Sequence, residues 1–331
     1  MYYQKLYIST RWNTRLDFAK STLAQQTSSR NHIKMKNKFL PKFTFFFLLF
    51  VIIFLTKCNT ANSTSSTHLK LQSIPSQPKM ISFANEKVPL DKNYVQERLD
   101  RELLVNTFWH SNTILVLKRS KKYFPIIEPI LRKNGIPHDF KYLAVIESGL
   151  IHVKSPAGAE GFWQFMPQTA REYGLQVNDY VDERLNLIKS TESVAAYLKD
   201  AYEVFGNWTL SAASYNAGMQ RIQSAMNKQK AKSYYDLFLN EETSRYMYRL
   251  LATKLIFESP ETYGFAITDE EAYAFPNTKL VRISKSNINW VDFALSHDMS
   301  YADFRELNPW IKGHSTANQN QKEYGILVLG D

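Results

Sequence analysis

The sequence predicts a mainly α-helical domain followed by a small α+β module, and three observations predict it. Across residues 91–258 apolar residues recur at spacings of three and four, the period of a helix with one buried face. The runs break at Gly135, Pro137, Pro156, Gly174, Gly206, Gly218 and Pro260, residues that stop helices and make turns. After Phe265 the texture changes: "KLVRISK" alternates like a strand, "NWVDFALSHDMSYADFRELNP" reads as two short helices, and "YGILVLG" is strand-like again. The chain has 331 residues, 44% of them hydrophobic, which is ample for a core and leaves room for one large unit or two unequal ones.

The elements before the helical region are different in kind. From Met35, a better start than Met1, a lysine-rich stretch leads into the apolar run Phe45 to Leu55 and then Cys58. The run is too short for a comfortable membrane span and suits the core of a signal peptide. Residues 1–57 are therefore expected to be a leader. Residues 59–80 are polar, rich in Ser and Thr, and interrupted by two prolines, so a flexible tether is expected over residues 58–90. The helical domain is expected over residues 91–265 and the small module over residues 278–331.

Charge and cysteine usage narrow the function. The formal net charge is +10, yet residues 1–60 hold ten Lys or Arg and one acid, Asp17, while the rest of the chain holds 31 basic and 30 acidic residues. The body is nearly neutral, and no basic patch of the size nucleic acid requires remains. Cys58 is the only cysteine, so no intrachain disulfide supports the fold. A lone Cys directly after a signal core resembles the acylated cysteine of a bacterial lipoprotein, although Lys57 stands where a small residue is usual. Lipidation at Cys58, an uncleaved anchor and an ordinary cleaved signal all place the body outside the cytoplasm, on the periplasmic face of the envelope. The seven histidines are scattered and no HExxH spacing occurs, so neither a metal nor any other cofactor is expected.

One residue stands out within the helical region. In "YLAVIESGL", Asp139 is placed to cap a helix from Phe140 to about Ser148. Phe140, Leu143, Ala144 and Glu147 then share its apolar face. Glu147 ends that stripe one turn before a Gly stop. Desolvation and the negative end of the helix dipole both disfavour its anion, giving a carboxylic acid that suits proton donation near neutral pH. The helix alone leaves open whether the carboxylate instead turns into water at the domain rim.

Three clusters bear on that choice. "SPAGAEGFWQFMP" joins a small-residue turn to Trp163, Phe165 and Met166, which offer apolar surface, and to Gln164, which offers a donor and an acceptor. The mixture suits a sugar, whose rings stack and whose hydroxyls need an amide. "SYNAG" sets Tyr215 and Asn216 at a helix end with Gly218 as its cap. "EETSRYMYRLLA" starts after the capping residue Asn240 and carries Tyr246 one turn past Glu242. No second carboxylate is placed like Glu147: Glu160 lies in the Gly/Ala turn, and Asp179 and Asp182 follow Gly174.

"FKYLAVIESGL", "SPAGAEGFWQFMPQTAREYGL", "YVDERLNLIKSTESVAAYLKD", "SYNAG" and "EETSRYMYRLLA" occur in order and at the right separations. Together, from Lys118 to Phe257, they resemble the soluble lytic transglycosylase domain of the lytic transglycosylases, in the form found in the membrane-bound D subgroup. The resemblance implies a lysozyme-like (goose-type lysozyme/transglycosylase) helical fold with a glycan cleft. It implies that Glu147 is the single catalytic acid/base, that Gln164, Phe165, Met166, Tyr215 and Asn216 line the substrate site, that Tyr246 lies near Glu147, and that Ser148 and Ser155 stand near the family's serines. "ESGLIHVKS" is one residue shorter than the usual form and lacks its "NP". The tail resembles a degenerate LysM module, with "DFRELNP" as support. The implied activity is non-hydrolytic cleavage between N-acetylmuramic acid and N-acetylglucosamine in peptidoglycan glycan strands, leaving 1,6-anhydro ends. A muramidase that uses water and a wall-binding protein without catalysis are the rival readings.

Overall fold

The computed structural model describes residues 75–330; the leader, the proposed start at Met35 and Cys58 lie outside the described residues. The first elements of the described residues are a hairpin of β1, Ser82–Phe83, and β2, Glu86–Lys87. Ala84 and Asn85 both take positive φ at its tip, the backbone sense that joins two twisted strands through a two-residue turn. Phe83 and Val88 are buried, and the Phe83 ring meets Phe140 edge-on at 5.1 Å. This corrects the tether expected over residues 58–90. Its last ten residues are seated in the domain core, because Ile81, Phe83, Val88 and Leu90 alternate as the buried side of a hairpin.

Helices α1, Asn93–Phe108, and α2, His110–Lys133, meet at Trp109, whose φ of −83° and ψ of 52° break the run. A 3-10 turn, His138–Phe140, then leads into α3, Lys141–Ser148. Asp139 does not cap α3, as the sequence had led us to expect. Its carboxylate accepts from the Ala84 N–H at 2.8 Å and pairs with Lys254 at 2.6 Å, so it fastens the hairpin to a helix 115 residues away. The 3-10 turn directs it inward, where those partners compensate its burial. After the short helix α4, Pro167–Glu172, come α5, Leu187–Phe205, α6, Trp208–Ala217, α7, Met219–Gln229, and α8, Glu241–Glu258.

Packing explains the order. Helix α8 runs against α1, where Arg245 Nε donates to the buried Glu102 at 2.7 Å. Removing one partner of such a pair costs about 3–5 kcal/mol, since the other charge stays buried alone. The start of α6 is held twice: Asn207 accepts from the Leu210 N–H at 2.8 Å, and Glu86 of the hairpin accepts from the N–H groups of Trp208 and Thr209. One hydrophobic core runs through all these elements from Ile81 to Phe265.

The C-terminal module has its own core. Strand β3, Thr278–Ile283, pairs antiparallel with β6, Tyr324–Leu329, from Thr278↔Leu329 to Ile283↔Tyr324. Strand β4, Asn287–Asn289, pairs with β5, Ser315–Ala317, and the helices α9, Trp290–Leu295, and α10, Tyr301–Leu307, lie between them in sequence. Trp290 stacks on Phe304 at 5.4 Å and its indole N–H donates to Thr316 at 2.7 Å. Ser300 and Asp303 form a capping box at the start of α10. Val181, from the helical domain, is buried within this second core. A mainly helical domain followed by a small strand-and-helix module is thus the observed architecture, as the periodicities predicted.

Candidate active site

Helix α3 puts one carboxylate where it can do chemistry. Leu143 and Ala144 are fully buried on its inner face, and Gly149, in the left-handed region at φ 63°, ends it. Glu147 shares that face but sits in the last turn, so it leaves the core and remains partly exposed. The Tyr246 hydroxyl, from α8, donates to its Oε1 at 2.5 Å. Arg249, one turn further along α8, donates to the Ile146 carbonyl at 2.9 Å.

Burial raises the Glu147 pKa above its usual 4.5, and the nearby Glu242 adds to the rise; the Tyr246 hydrogen bond and the positive charge of Arg249 act against it. The balance is upward, so the carboxyl keeps its proton further toward neutral pH than an exposed glutamate does. Glu147 thus stands between the two positions that the helix pattern left open: partly exposed, yet with its carboxylate bonded to Tyr246.

The loop of residues 155–166 is tied to this site through Tyr215, whose hydroxyl donates to the Trp163 carbonyl. Ser155 shapes its first turn: the hydroxyl accepts from the Ala159 N–H at 2.9 Å. Gln164 has φ 49°, a strained conformation for a residue with a Cβ. Its amide nitrogen donates to the carbonyls of Val153 at 2.9 Å and Gly161 at 2.8 Å. The donor expected to serve a ligand is therefore used by the loop itself, and the amide oxygen is the part left to accept.

The apolar surface of this loop also differs from expectation. Trp163 is 1% exposed, and its indole N–H donates to Thr191. Phe165 is 3% exposed and packs against Tyr173 and Tyr215. Neither ring offers a stacking face, because the alternation of the loop turns both inward to fill the gap between α4, α5 and α6. Met166, 42% exposed, stays at the surface.

Tyr215 and Asn216 close the end of α6. The Tyr215 hydroxyl donates to the Trp163 carbonyl at 2.5 Å, and burial, with Glu147 nearby, pushes its pKa well above the usual 10. Tyr246 is raised in the same way and for the same reasons, so both stay donors. Asn216 accepts from the Thr243 hydroxyl at 2.9 Å and donates to Glu242 at 3.4 Å, which ties α6 to α8. Ser148 is buried, with its hydroxyl donated to the Ala144 carbonyl at 3.0 Å, a bond internal to its own helix.

Two of the acids considered in the sequence are engaged elsewhere. Asp182 and Glu160 both pair with Arg184, at 2.6 Å and 2.9 Å, while Asp179 is exposed. Among the described residues no group of three or more His, Cys, Asp or Glu side chains is placed to hold a metal ion. Sequence reasoning passed over Arg184, Arg249 and Glu86. Arg184 left one readable sign, the charged triplet of "VDERL" set between apolar residues; the other two left none, since their partners are distant in the chain.

A glutamate whose pKa burial raises, a tyrosine bonded to it and the neighbouring loop and helix ends make up the candidate site. Residues 124–238 match the transglycosylase SLT domain, and residues 279–328 match the soluble lytic transglycosylase C-terminal LysM-like domain. The two matches follow one another along the chain, and the expected mainly helical domain with a small α+β module is the fold it has. Among known proteins it is similar to membrane-bound lytic murein transglycosylase D of Escherichia coli (strain K12), at 27% identity over 244 residues, 72% of this chain and 52% of that protein. It is also similar to a putative tributyltin chloride resistance protein of Alteromonas sp. (strain M-1), at 26% identity over 117 residues, 35% of this chain and 56% of that one. The chain spans about half the length of the curated relatives it matches. A solved structure, the 70 kDa soluble lytic transglycosylase of Escherichia coli, aligns with 45% of this chain and 26% of its own at a TM-score of 0.36 and 23% identity. The SLT match ends at residue 238, short of Tyr246, which the fold nonetheless brings to Glu147.

Proposed function

We propose that the protein is a peptidoglycan lytic transglycosylase, and that Glu147 is its only catalytic carboxylate. The observation that carries this reading is Glu147 itself: a carboxyl bonded to Tyr246, its pKa raised by burial, with Glu160 and Asp182 both engaged by Arg184. Glu147 donates its proton to the oxygen linking N-acetylmuramic acid to N-acetylglucosamine, and positive charge develops at the muramoyl anomeric carbon. The sugar's own N-acetyl oxygen stabilises that carbon, in place of a second carboxylate. Glu147, now a base, takes the proton of the C6 hydroxyl, whose oxygen closes onto the anomeric carbon. The proton lost in the first step is recovered in the second, no water is consumed, and no cofactor is required.

Tyr246 steadies the carboxylate formed between the two steps, since a hydrogen bond to a charged acceptor is stronger than one to a neutral acid. The Gln164 amide oxygen, Met166, Tyr215 and Asn216 border the glycan; Phe165, Ser148 and Ser155 support the site from behind it. The LysM-like module is read as a second glycan contact. For location, the proposal is an exported protein held at the periplasmic face through Cys58 or the leader, with residues 58–80 as tether. Among the described residues no helix is long and apolar enough to cross a membrane.

Digestion of purified peptidoglycan and mass measurement of the released muropeptides tests the proposal. Anhydro products, lighter by one water than hydrolysis products, are expected, and Glu147→Gln is expected to slow their release by about 100-fold or more. Products carrying the extra water would establish a muramidase, a reading that Glu242 favours because its carboxylate acts on Glu147. Full activity in Glu147→Gln would overturn the assignment, and no release by the wild type would leave a wall-binding protein.

A further inference from the structure

The C-terminal module packs on the helical domain mainly through the loop of residues 176–183, with Leu185 and Lys189 beside it. Val181 is fully buried among the module's apolar residues and forms a β-bridge with Ile311. The Lys312 N–H donates to the Tyr180 carbonyl at 2.7 Å, and the Asp182 N–H donates to the Trp310 carbonyl at 2.8 Å. Lys322 adds bonds from the module to Gln176 at 2.8 Å and Glu183 at 3.3 Å. Backbone bonds to both sides of a buried plug make a fixed joint, unlike the loose contact of a module tethered by a linker.

The same loop reaches the cleft. Asp182, 1% exposed, receives Arg184 through Nε at 2.9 Å and Nη2 at 2.6 Å. The other faces of that guanidinium hold the cleft loop: Nη1 donates to the carbonyls of Gly158 at 2.7 Å and Phe165 at 3.1 Å, and Nη2 to Glu160 at 2.9 Å. Gly158 and Phe165 lie at opposite ends of the stretch that carries Gln164. The backbone packs as closely: a Cβ on Gly161 would stand 2.2 Å from the Arg184 carbonyl oxygen. Trp163 in that stretch in turn accepts from Tyr215. Five acceptors converge on one planar fork, which a lysine could not serve.

We infer that Arg184 is a positioning residue that holds the cleft loop, and with it Gln164, in its strained, ligand-ready form, and that the C-terminal module acts as a brace for Arg184 through Val181 and Asp182. The part of the inference that concerns turnover rests on the transglycosylase reading; the mechanical part does not. The module's role in this chain is therefore to set the geometry of the cleft, in addition to any glycan it binds. Arg184 touches no reacting atom, so its effect passes through Gln164.

The test uses the full chain with Arg184→Gln, Arg184→Lys, Val181→Ser and the double variant Arg184→Gln/Val181→Ser. Amide exchange is measured at Ala159, Glu160, Gly161 and Gln164, with β3 and β6 as the control that the module stays folded. Kinetics are measured on a soluble glycan strand. Both single-site disruptions are expected to speed exchange in the cleft loop. The kcat/KM of Arg184→Gln is expected to fall about 100-fold, as for a misplaced positioning group. Arg184→Lys should behave like Arg184→Gln, Val181→Ser should lie between them and the wild type, and the double variant should be no worse than Arg184→Gln, because both act on one route. The alkaline limb of the pH profile, which reports Glu147, should not move. Loop exchange at the wild-type rate in Val181→Ser with an intact module would overturn the brace. A folded Arg184→Gln or Arg184→Lys with wild-type kcat and KM would overturn the positioning role. If the wild type releases no anhydro products while Val181→Ser still loosens the loop, the reaction is misassigned and the brace stands.

Discussion

Tyr246 and Glu147 are 99 residues apart in the chain, and the tyrosine hydroxyl rests 2.5 Å from the glutamate's Oε1. The bond does opposite things at the two ends of a proton transfer. It weakly favours the carboxylate at rest, against the burial that disfavours it, and favours it more strongly when the proton has left. Tyr246→Phe should therefore lower kcat about 10–100-fold, the worth of a hydrogen bond to a charged group. It should also move the alkaline limb of the pH–activity profile to higher pH, because the brake on the Glu147 pKa is gone. A kcat profile of the folded variant from pH 4 to 9 checks both.

Glu242 acts on the same group with the opposite sign: its charge raises the Glu147 pKa. Glu242→Gln should move the alkaline limb to lower pH. Because Glu242 is exposed, added salt should produce part of the same shift in the wild type and little in the variant. Paired profiles at low and high ionic strength measure it.

The raised Glu147 pKa has a consequence for stability. Between its usual 4.5 and its folded value the native state binds more protons than the unfolded chain, so stability is lost as pH rises through that window. Glu147→Gln keeps an oxygen for Tyr246 and has no charge to bury. It should melt at a higher temperature than the wild type at pH 7, with the gap closing as pH falls toward 4.5 and absent below it. Thermal melts of both proteins at pH 4, 5.5 and 7 decide the matter.

Glu86 joins the hairpin to α6 through three bonds, to the Trp208 N–H at 2.6 Å, the Thr209 N–H at 2.8 Å and the Thr209 hydroxyl at 2.6 Å. Glu86→Ala leaves those donors without their acceptor at a helix start and should cost about 2 kcal/mol. A melting point lower by roughly 4–8 °C is expected in a calorimetric scan. Because α6 carries Tyr215 and Asn216 at its other end, turnover should fall less than stability does.

The fold was largely legible because its signals are local. Periodicity located α3, Gly149 marked its end, and alternation located β3 and β6. The errors arose where a residue's partner is remote. Asp139 has the look of a helix cap, and only the approach of Ala84 and Lys254 shows why it is there. Residues 81–90 follow a polar, Ser/Thr-rich stretch of sequence and are too few to declare a hairpin by themselves; burial against Phe140 makes them one. Trp163 and Phe165 were read as sugar surface because aromatic residues in a loop permit that, and the neighbouring helices cover them instead.

The sequence by itself determined that this chain is a helical domain with a small α+β module, and that Glu147 lies on an apolar face at a helix end, since both follow from the 3.6- and 2-residue periods of the backbone. What only the tertiary structure decided is the company that glutamate keeps. Tyr246 arrives from α8 and donates to it, Glu160 and Asp182 are drawn away by Arg184, and the module reaches that arginine through Val181. Hydrogen bonds and charge pairs act over a few ångströms of space, irrespective of separation along the chain, so no local pattern could announce them.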